Sequence, residues 1–281
     1  MPELPEVELV ACSLDKLISR RKIIAGELLR SRLAPDTEPS TFAHQLNNAL
    51  INYVTRRGKH ILFDLGNGRT LITHLRMSGR FMLLPTHTEN PKFTHAIFYL
   101  NDDTRLVFQD QRHFGLMKIV ETQNLFDSKE LKKLAPEPLS EEFSLTYFRN
   151  ILKSSKRPIK EFLIDQTKVC GLGNIYAAEA LFLAKINPEQ VANRITSRKS
   201  ARLYEAIREV LVKAIILGRK MEIDSTNISG SIYGLGSETG WRVYGRENLP
   251  CPNCSAPIAR LKQAGRSTYF CPKCQRSRTT C

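Results

Sequence analysis

Hydrophobic positions change their spacing along this chain, and each change marks a different kind of element. Val7, Val10, Leu14 and Leu17 fall on one face at helical spacing; Pro5 suits a first turn, and Glu6 and Glu8 suit its positive end. This predicts an N-terminal helix. From residue 22 to 120 the pattern breaks into short apolar runs between turn residues. Ile61 to Leu65, the turn Gly66-Asn67-Gly68 and Thr70 to Leu75 read as one hairpin; Ala96 to Leu100, Asn101-Asp102-Asp103 and Arg105 to Gln109 read as a second. This half is β-rich. From about residue 122 the spacing turns helical again, with runs over Phe143 to Leu152, Ile159 to Leu163 and Ile175 to Leu183. Ser197 then opens a long amphipathic stretch, with Leu203, Ile207, Val210, Leu211, Ala214 and Ile215 on one face, and Gly218 closes it. Residues 224 to 240, with Gly230, Gly234, Gly236 and Gly240 among Ser and Thr, read as a mobile loop.

At 281 residues and 42% hydrophobic content the chain is long enough for two domains with their own cores. Its charge changes the picture more: 42 Lys and Arg against 28 Asp and Glu give a net +14, with an isoelectric point near 9.6. Such an excess points to a polyanionic partner, either nucleic acid or an anionic membrane surface. No apolar run reaches the roughly 18 residues of a spanning helix, and no basic stretch followed by an apolar one opens the chain, so neither an anchor nor a signal peptide is expected. The expectation is an intracellular protein. Of seven cysteines, Cys251, Cys254, Cys271 and Cys274 form two pairs, while Cys12, Cys170 and Cys281 are scattered, which argues for metal binding rather than a disulfide framework.

The paired cysteines carry the strongest local signal. Two C-x2-C knuckles joined by a spacer with room for a two-stranded ribbon suit one zinc ion held by four thiolates, closed and therefore structural. Within the spacer, Gly265-Arg266-Ser267-Thr268 would lie at the ribbon tip, where Arg266 either forks phosphate oxygens or is a solvated charge. Gly171-Leu172-Gly173-Asn174 precedes a helical run and is either a helix-to-helix turn or a phosphate cradle; the third glycine of a dinucleotide fingerprint is absent. Gly234-Leu235-Gly236 lacks the Lys-Ser/Thr of a nucleotide P-loop. His74 to Gly79 and Gln109 to Gly115 both follow predicted strands. Met77 and Phe114 there are either core residues or apolar wedges, with Arg112 as a fork-shaped cation for an abandoned base. Lys59, taken alone, is an ordinary solvated charge. At the start of the chain, loss of Met1 would leave Pro2 with a free secondary amine beside carboxylates. An α-amino group titrates at about 7.7 to 8.0, so it is partly unprotonated at neutral pH and can act as a nucleophile.

Together these pieces resemble the formamidopyrimidine-DNA glycosylase family of bacterial bifunctional base-excision enzymes, over the whole chain. Met1 to Glu8, Arg57-Gly58-Lys59, His74 to Gly79, Gln109 to Gly115, Asp165-Gln166, Gly171 to Glu179, Val243 to Arg246 and the cysteine pairs occur in the family's order. A sister group acting on oxidised pyrimidines usually has glycine where Leu4 stands and lacks this Met, Arg, Phe set, so the purine branch is favoured. The resemblance implies an α+β protein: an N-terminal β-sandwich with flanking helices (residues 1–121), a helix-two-turn-helix domain (122–243) and a C-terminal β-ribbon zinc finger (244–281), with DNA in the cleft between. It implies Pro2 as the nucleophile that displaces the base, Glu3 as the group protonating the opened sugar, Lys59 in proton transfer at the lesion, and Arg266 in phosphate binding and the second elimination. Glu6 lines the same pocket. His95, Arg112, Lys156, Lys160 and Asn174 match positions that hold the DNA backbone, and Met77, Arg112 and Phe114 match the void-filling set. The implied partner is damaged double-stranded DNA, the implied cofactor one structural Zn2+, and the implied state a monomer in the cytoplasm, in use at the nucleoid and not at a membrane. Asp224 to Trp241 matches the family poorly, which leaves the choice between 8-oxoguanine and formamidopyrimidines open. The rival reading from another class is a non-catalytic zinc-containing DNA-binding protein, which accounts for the charge and the cysteines but not for the proline.

Overall fold

A computed structural model describes residues 1–228 and 240–276. Most of the loop expected over 224 to 240, the Gly234-Leu235-Gly236 stretch and the tail with Cys281 lie outside the described residues. The chain divides into two compact units, the first built from Met1–Lys132 and the stretch that begins at Leu217, the second from Lys133–Ile216 and the C-terminal residues.

In the first unit, helix α1 (Leu4–Ile18) is followed by eight strands and one more helix. β1 (Ile23–Leu28), β6 (Thr94–Leu100), β7 (Thr104–Asp110) and β5 (Gly79–Pro85) form one antiparallel sheet in the order β1-β6-β7-β5. β2 (Tyr53–Arg57), β3 (His60–Asp64), β4 (Arg69–His74) and β8 (Leu116–Glu121) form the other in the order β2-β3-β4-β8. The two expected hairpins are β3-β4 and β6-β7, each within one or two residues of its expected ends. Phe63 from one sheet meets Phe81 from the other at 5.5 Å between ring centroids, and Phe81 meets Phe108 at 5.1 Å, so aromatic rings join the inner faces of a sandwich. Val7, Val10 and Leu14 of α1 enter the same core, as their spacing predicts. Helix α2 (Pro39–Leu46) packs on β1.

The second unit holds α3 (Leu145–Lys153), α4 (Ile159–Ile164), α5 (Asn174–Leu183) and most of α6 (Ser197–Gly218), then a hairpin of β9 (Ala259–Gln263) and β10 (Arg266–Phe270). α6 begins and ends where its sequence pattern does. α3 starts two residues later than its apolar run because the Ser144 hydroxyl accepts a hydrogen bond from Tyr147 N at 3.1 Å and caps the helix there. Phe143, just ahead of that cap, packs on Phe148 at 5.5 Å, a hydrophobic staple that sets the entry angle of the chain.

Candidate functional site

Helix α1 delivers the acidic pair. Pro5 lies in its first turn, and Glu3 is its N-cap; Glu3 N donates to Glu6 Oε2 at 2.8 Å while the Glu3 side chain accepts from the Glu6 amide. This reciprocal box fixes both buried carboxylates at the positive end of the helix, directly after Pro2, which is itself buried. One turn on, Glu8 accepts from Arg56 Nε at 2.7 Å and pairs with Arg219 at 3.5 Å, tying α1 to β2. Three residues after Arg56 comes Lys59, in a two-residue turn between the paired Arg57 and His60. Gly58 takes the positive φ of 60° at the first central position, which keeps the turn this short.

Lys59 is only 6% exposed, so the plain solvated-charge reading fails. The strand register sets His60 directly opposite His74, and their rings meet edge to face at 4.8 Å. His74 Nδ1 accepts from Arg76 N at 2.9 Å. Burial pushes the His60 pKa down to about 4 and that of His74 well below its usual value; the nearby charges of Arg76 and Lys59 act in the same direction. Both imidazoles are therefore neutral at pH 7.

A second cluster lies where β4 leads to β5 and β7 leads to β8. Met77 and Phe114 are 45% and 47% exposed, so they are surface rather than core residues, and the Arg112 guanidinium lies over the Phe114 ring at 5.4 Å. Beside them opens a cavity of about 410 Å3 whose lining includes Met77, Phe93 and Gln111. Asp110, wholly buried, accepts hydrogen bonds from Ser78 Oγ, Gly115 N (2.6 Å) and Arg112 N (3.2 Å). Burial raises its pKa, but the bonds from Ser78, Gly115 and Arg112 outweigh that and hold it below the usual carboxylate value.

His95 was expected to hold the DNA backbone. It is buried, its Nε2 has no hydrogen-bond partner among the described residues, and burial together with the His113 ring 4.8 Å away lowers its pKa.

In the second unit the Gly171 turn is latched from within. Gln166 Oε1 accepts from Gly171 N at 2.9 Å while its Nε2 donates to Ile164 O and Leu172 O, and Gly171 takes φ 76°. Lys160 and Asn174, expected at the DNA backbone, bond to each other and to the hairpin. Lys160 is completely buried, donating to Asn174 Oδ1 and, at 3.0 Å, to Thr268 Oγ1; Asn174 Nδ2 donates to Ser267 O at 2.9 Å. A buried ammonium must find acceptors, and these two side chains use theirs to fasten the hairpin to α4 and α5. Lys156 is exposed. Arg266 is exposed too, but it is the first residue of β10, paired with Gln263; Ala264 and Gly265 form the tip, and Thr268 points inward instead.

The four expected cysteines converge, with all Sγ atoms within 4.8 Å of one another, Cys251 and Cys274 at 3.9 Å, and Cys254 and Cys271 at 3.5 Å. A tetrahedron with Zn–S bonds of about 2.3 Å has edges of about 3.8 Å, so the cluster fits one structural zinc ion. Gln275 supports it, accepting from Cys271 N at 2.8 Å and donating to Ile186 O at 2.9 Å.

Sequence reasoning missed Asp110 and Glu179. Glu179 is buried in α5 and accepts from Arg242 N, Val243 N and Tyr244 N at 2.9 to 3.1 Å. The available signal was an acidic residue inside an otherwise apolar helical run, Asn174–Leu183.

The chain matches three domain families: "Formamidopyrimidine-DNA glycosylase N-terminal domain" over residues 1–117, "Formamidopyrimidine-DNA glycosylase H2TH domain" over 134–225, and "Zinc finger found in FPG and IleRS" over 248–276. It is 39% identical to the formamidopyrimidine-DNA glycosylase of Listeria monocytogenes over 98% of this chain and 100% of the relative. It is 41% identical to that of Pelotomaculum thermopropionicum over 98% and 99%. The Lactococcus lactis enzyme, solved in complex with DNA containing an abasic site, superimposes with a TM-score of 0.90 at 36% identity, covering 98% of this chain and 100% of that one. No described helix is long and apolar enough to cross a membrane. With relatives matched end to end and the buried acidic cap, the Lys59 turn and the four-thiolate cluster all in place, this chain belongs to the formamidopyrimidine-DNA glycosylase family.

Proposed function

We propose that this chain is a DNA glycosylase of base excision repair that excises oxidised purines, formamidopyrimidines and 8-oxoguanine, and then cuts the strand at the resulting abasic site. Removal of Met1 frees the Pro2 nitrogen. Its lone pair forms a bond to C1′ of the damaged nucleotide as the bond from C1′ to the base breaks; Glu3 protonates the ring oxygen as the sugar opens, leaving an iminium. That cation draws electrons from C2′, so loss of the C2′ proton expels the 3′ phosphate, and a second elimination expels the 5′ phosphate. Lys59, buried beside two neutral imidazoles, suits proton transfer at this centre. Arg112, Lys156 and Arg266 are exposed cations suited to phosphate. Zinc stabilises the hairpin that carries Arg266 and takes no part in bond breaking. The relatives' names and the abasic-site and N7-benzyl-Fapy-dG duplexes bound by the Lactococcus lactis enzyme support this substrate class. We place the working protein as a monomer in the bacterial cytoplasm, at the nucleoid.

The observation that carries the proposal is the sequence Pro2-Glu3 with Glu3 buried at a helix N-terminus. Borohydride reduction tests it. Protein with a free Pro2 amine gives a covalent adduct with duplex DNA carrying an abasic site or 8-oxoguanine, and blocking that amine abolishes the adduct. A protein that only binds DNA gives none. Competition between oxidised purines and oxidised pyrimidines in one duplex context tests the lesion class.

A further inference from the structure

Met77 lies in the loop from His74 to Gly79, and Arg112 and Phe114 lie in the loop from Asp110 to Leu116. Both loops spring from one rung of the first sheet, because the β5-β7 register sets Gly79 opposite Asp110. The buried Asp110 carboxylate joins them. Its Oδ1 accepts from Ser78 Oγ in the first loop and from Arg112 N in the second, and its Oδ2 accepts from Gly115 N. Ser78 Oγ in turn accepts from Arg112 N at 3.0 Å. Beneath both loops lies one ring. A Cβ at Gly79 would stand 2.8 Å from Phe108 Cζ, and one at Gly115 2.8 Å from Phe108 Cε1, so each loop is pressed onto Phe108 where only glycine fits. Met77 and Phe114 are close to half exposed, so their position depends on the backbone that carries them.

We infer that Ser78 and Asp110 form a latch that holds the two loops as one preorganised wedge, and that its task is extrusion of the damaged base rather than bond breaking. The inference rests on the glycosylase reading, in which Met77, Arg112 and Phe114 fill the space the base leaves. Loops ordered in advance spend no binding energy on ordering themselves when they enter the duplex. An abasic nucleotide carries no base to unstack, so its cleavage depends far less on the wedge. Ser78 and Asp110 are thus positioning residues.

Asp110→Asn keeps the side-chain shape but offers one acceptor oxygen where two are in use, so either Gly115 N or Arg112 N loses its bond to residue 110 whichever way the amide turns. Under single-turnover conditions, excision of 8-oxoguanine from a duplex falls about tenfold to a hundredfold, while cutting of a preformed abasic site in the same duplex changes less than about threefold. Ser78→Ala, which removes both bonds of the Ser78 hydroxyl, the one to Asp110 and the one from Arg112 N, lowers excision about tenfold and spares abasic cutting. In a Pro2→Gly background, 2-aminopurine placed opposite the lesion loses the fluorescence change that accompanies wedge insertion. Unchanged excision in both variants overturns the latch, as does an equal loss on the two substrates. If Asp110→Asn does not fold, Ser78→Ala decides alone. Unsubstituted protein that cuts neither duplex overturns the glycosylase reading itself, an outcome distinct from failure of the latch.

Discussion

Two buried lysines show how differently the two units use the same residue type. Lys59 sits in a two-residue turn at the rim of the sandwich, held by backbone geometry and bordered by two neutral imidazoles. Lys160 sits in α4 and donates to Asn174 and Thr268, fastening a hairpin. In the first unit, turns, caps and strand register do most of the positioning, helped by the Ser78–Asp110 tie, and side chains such as Met77, Arg112 and Phe114 remain exposed. In the second, polar side chains themselves do the positioning, through Lys160, Asn174, Gln166 and Glu179. The difference follows from the elements: paired strands fix their loops by ladder bonds, whereas short helices and a zinc hairpin have few backbone groups to share and must be joined by side chains.

If the first unit holds the chemistry, Pro2→Gly should have the largest effect on activity and almost none on folding. Base excision should fall more than about a thousandfold, as removal of a nucleophile does. Duplex binding should stay within a few-fold and the unfolding midpoint should be unchanged. Turnover at the original rate would remove Pro2 from the mechanism.

The mirror-image experiment addresses the second unit. Glu179→Ala strands three amides, the buried one of Val243 and the half-buried ones of Arg242 and Tyr244, and should lower the stability of that unit by about 3 kcal/mol. Urea unfolding followed by tryptophan fluorescence measures this, because Trp241 is the chain's single tryptophan, immediately precedes those amides and packs edge to face on Tyr176 at 5.4 Å. A loss below about 0.5 kcal/mol would mean that side chains do not carry the positioning there.

The contrast also explains what the sequence could and could not disclose. The bounds of α6, the two hairpins and the cysteine cluster were legible because each is set by a local pattern: helical spacing closed by Gly218, alternating runs around Gly-Asn-Gly, and paired thiols. Pro5 and Glu6 were legible as a helix start, whereas the cap box that joins Glu6 to Glu3 emerges only in the structure. The inward turn of Lys160 and Asn174 was not legible, since it depends on Ser267 and Thr268, about a hundred residues away in sequence. For the same reason Asp110 passed as one letter of a motif. Its partner Ser78 is 32 residues upstream, and only the β5-β7 register brings the two together.

A pH profile sharpens the comparison from the side of Lys59. His60 has a folded pKa of about 4 against about 6.5 unfolded, chiefly because it is buried. Between these values the unfolded chain binds a proton that the native state does not, so stability is full above pH 6.5 and declines as pH falls toward 4. The loss attributable to His60 is about 3 kcal/mol across that window, and His74 shifts in the same direction. His60→Phe should flatten the slope of urea midpoints measured between pH 7.5 and 4.5. An unchanged slope would mean that the imidazole is not neutral beside Lys59.

The smallest effect separates an exposed cation from a structural carboxylate. Neutralising about six phosphates gives a log-log salt slope near −5, and each phosphate contact contributes about 0.9 to it. Lys156 is exposed, so truncating it strands no buried group. Lys156→Ala should therefore reduce the magnitude of the slope by about 0.9 and weaken binding a few-fold on any duplex, damaged or not, with no change in the unfolding midpoint. Glu179→Ala should do the reverse, lowering the midpoint while the folded protein keeps its slope. A slope that moves with Glu179 and not with Lys156 would mean that DNA is met by the internal ties of the second unit rather than by its exposed cations, and the division of labour drawn from the two lysines would have to be reversed.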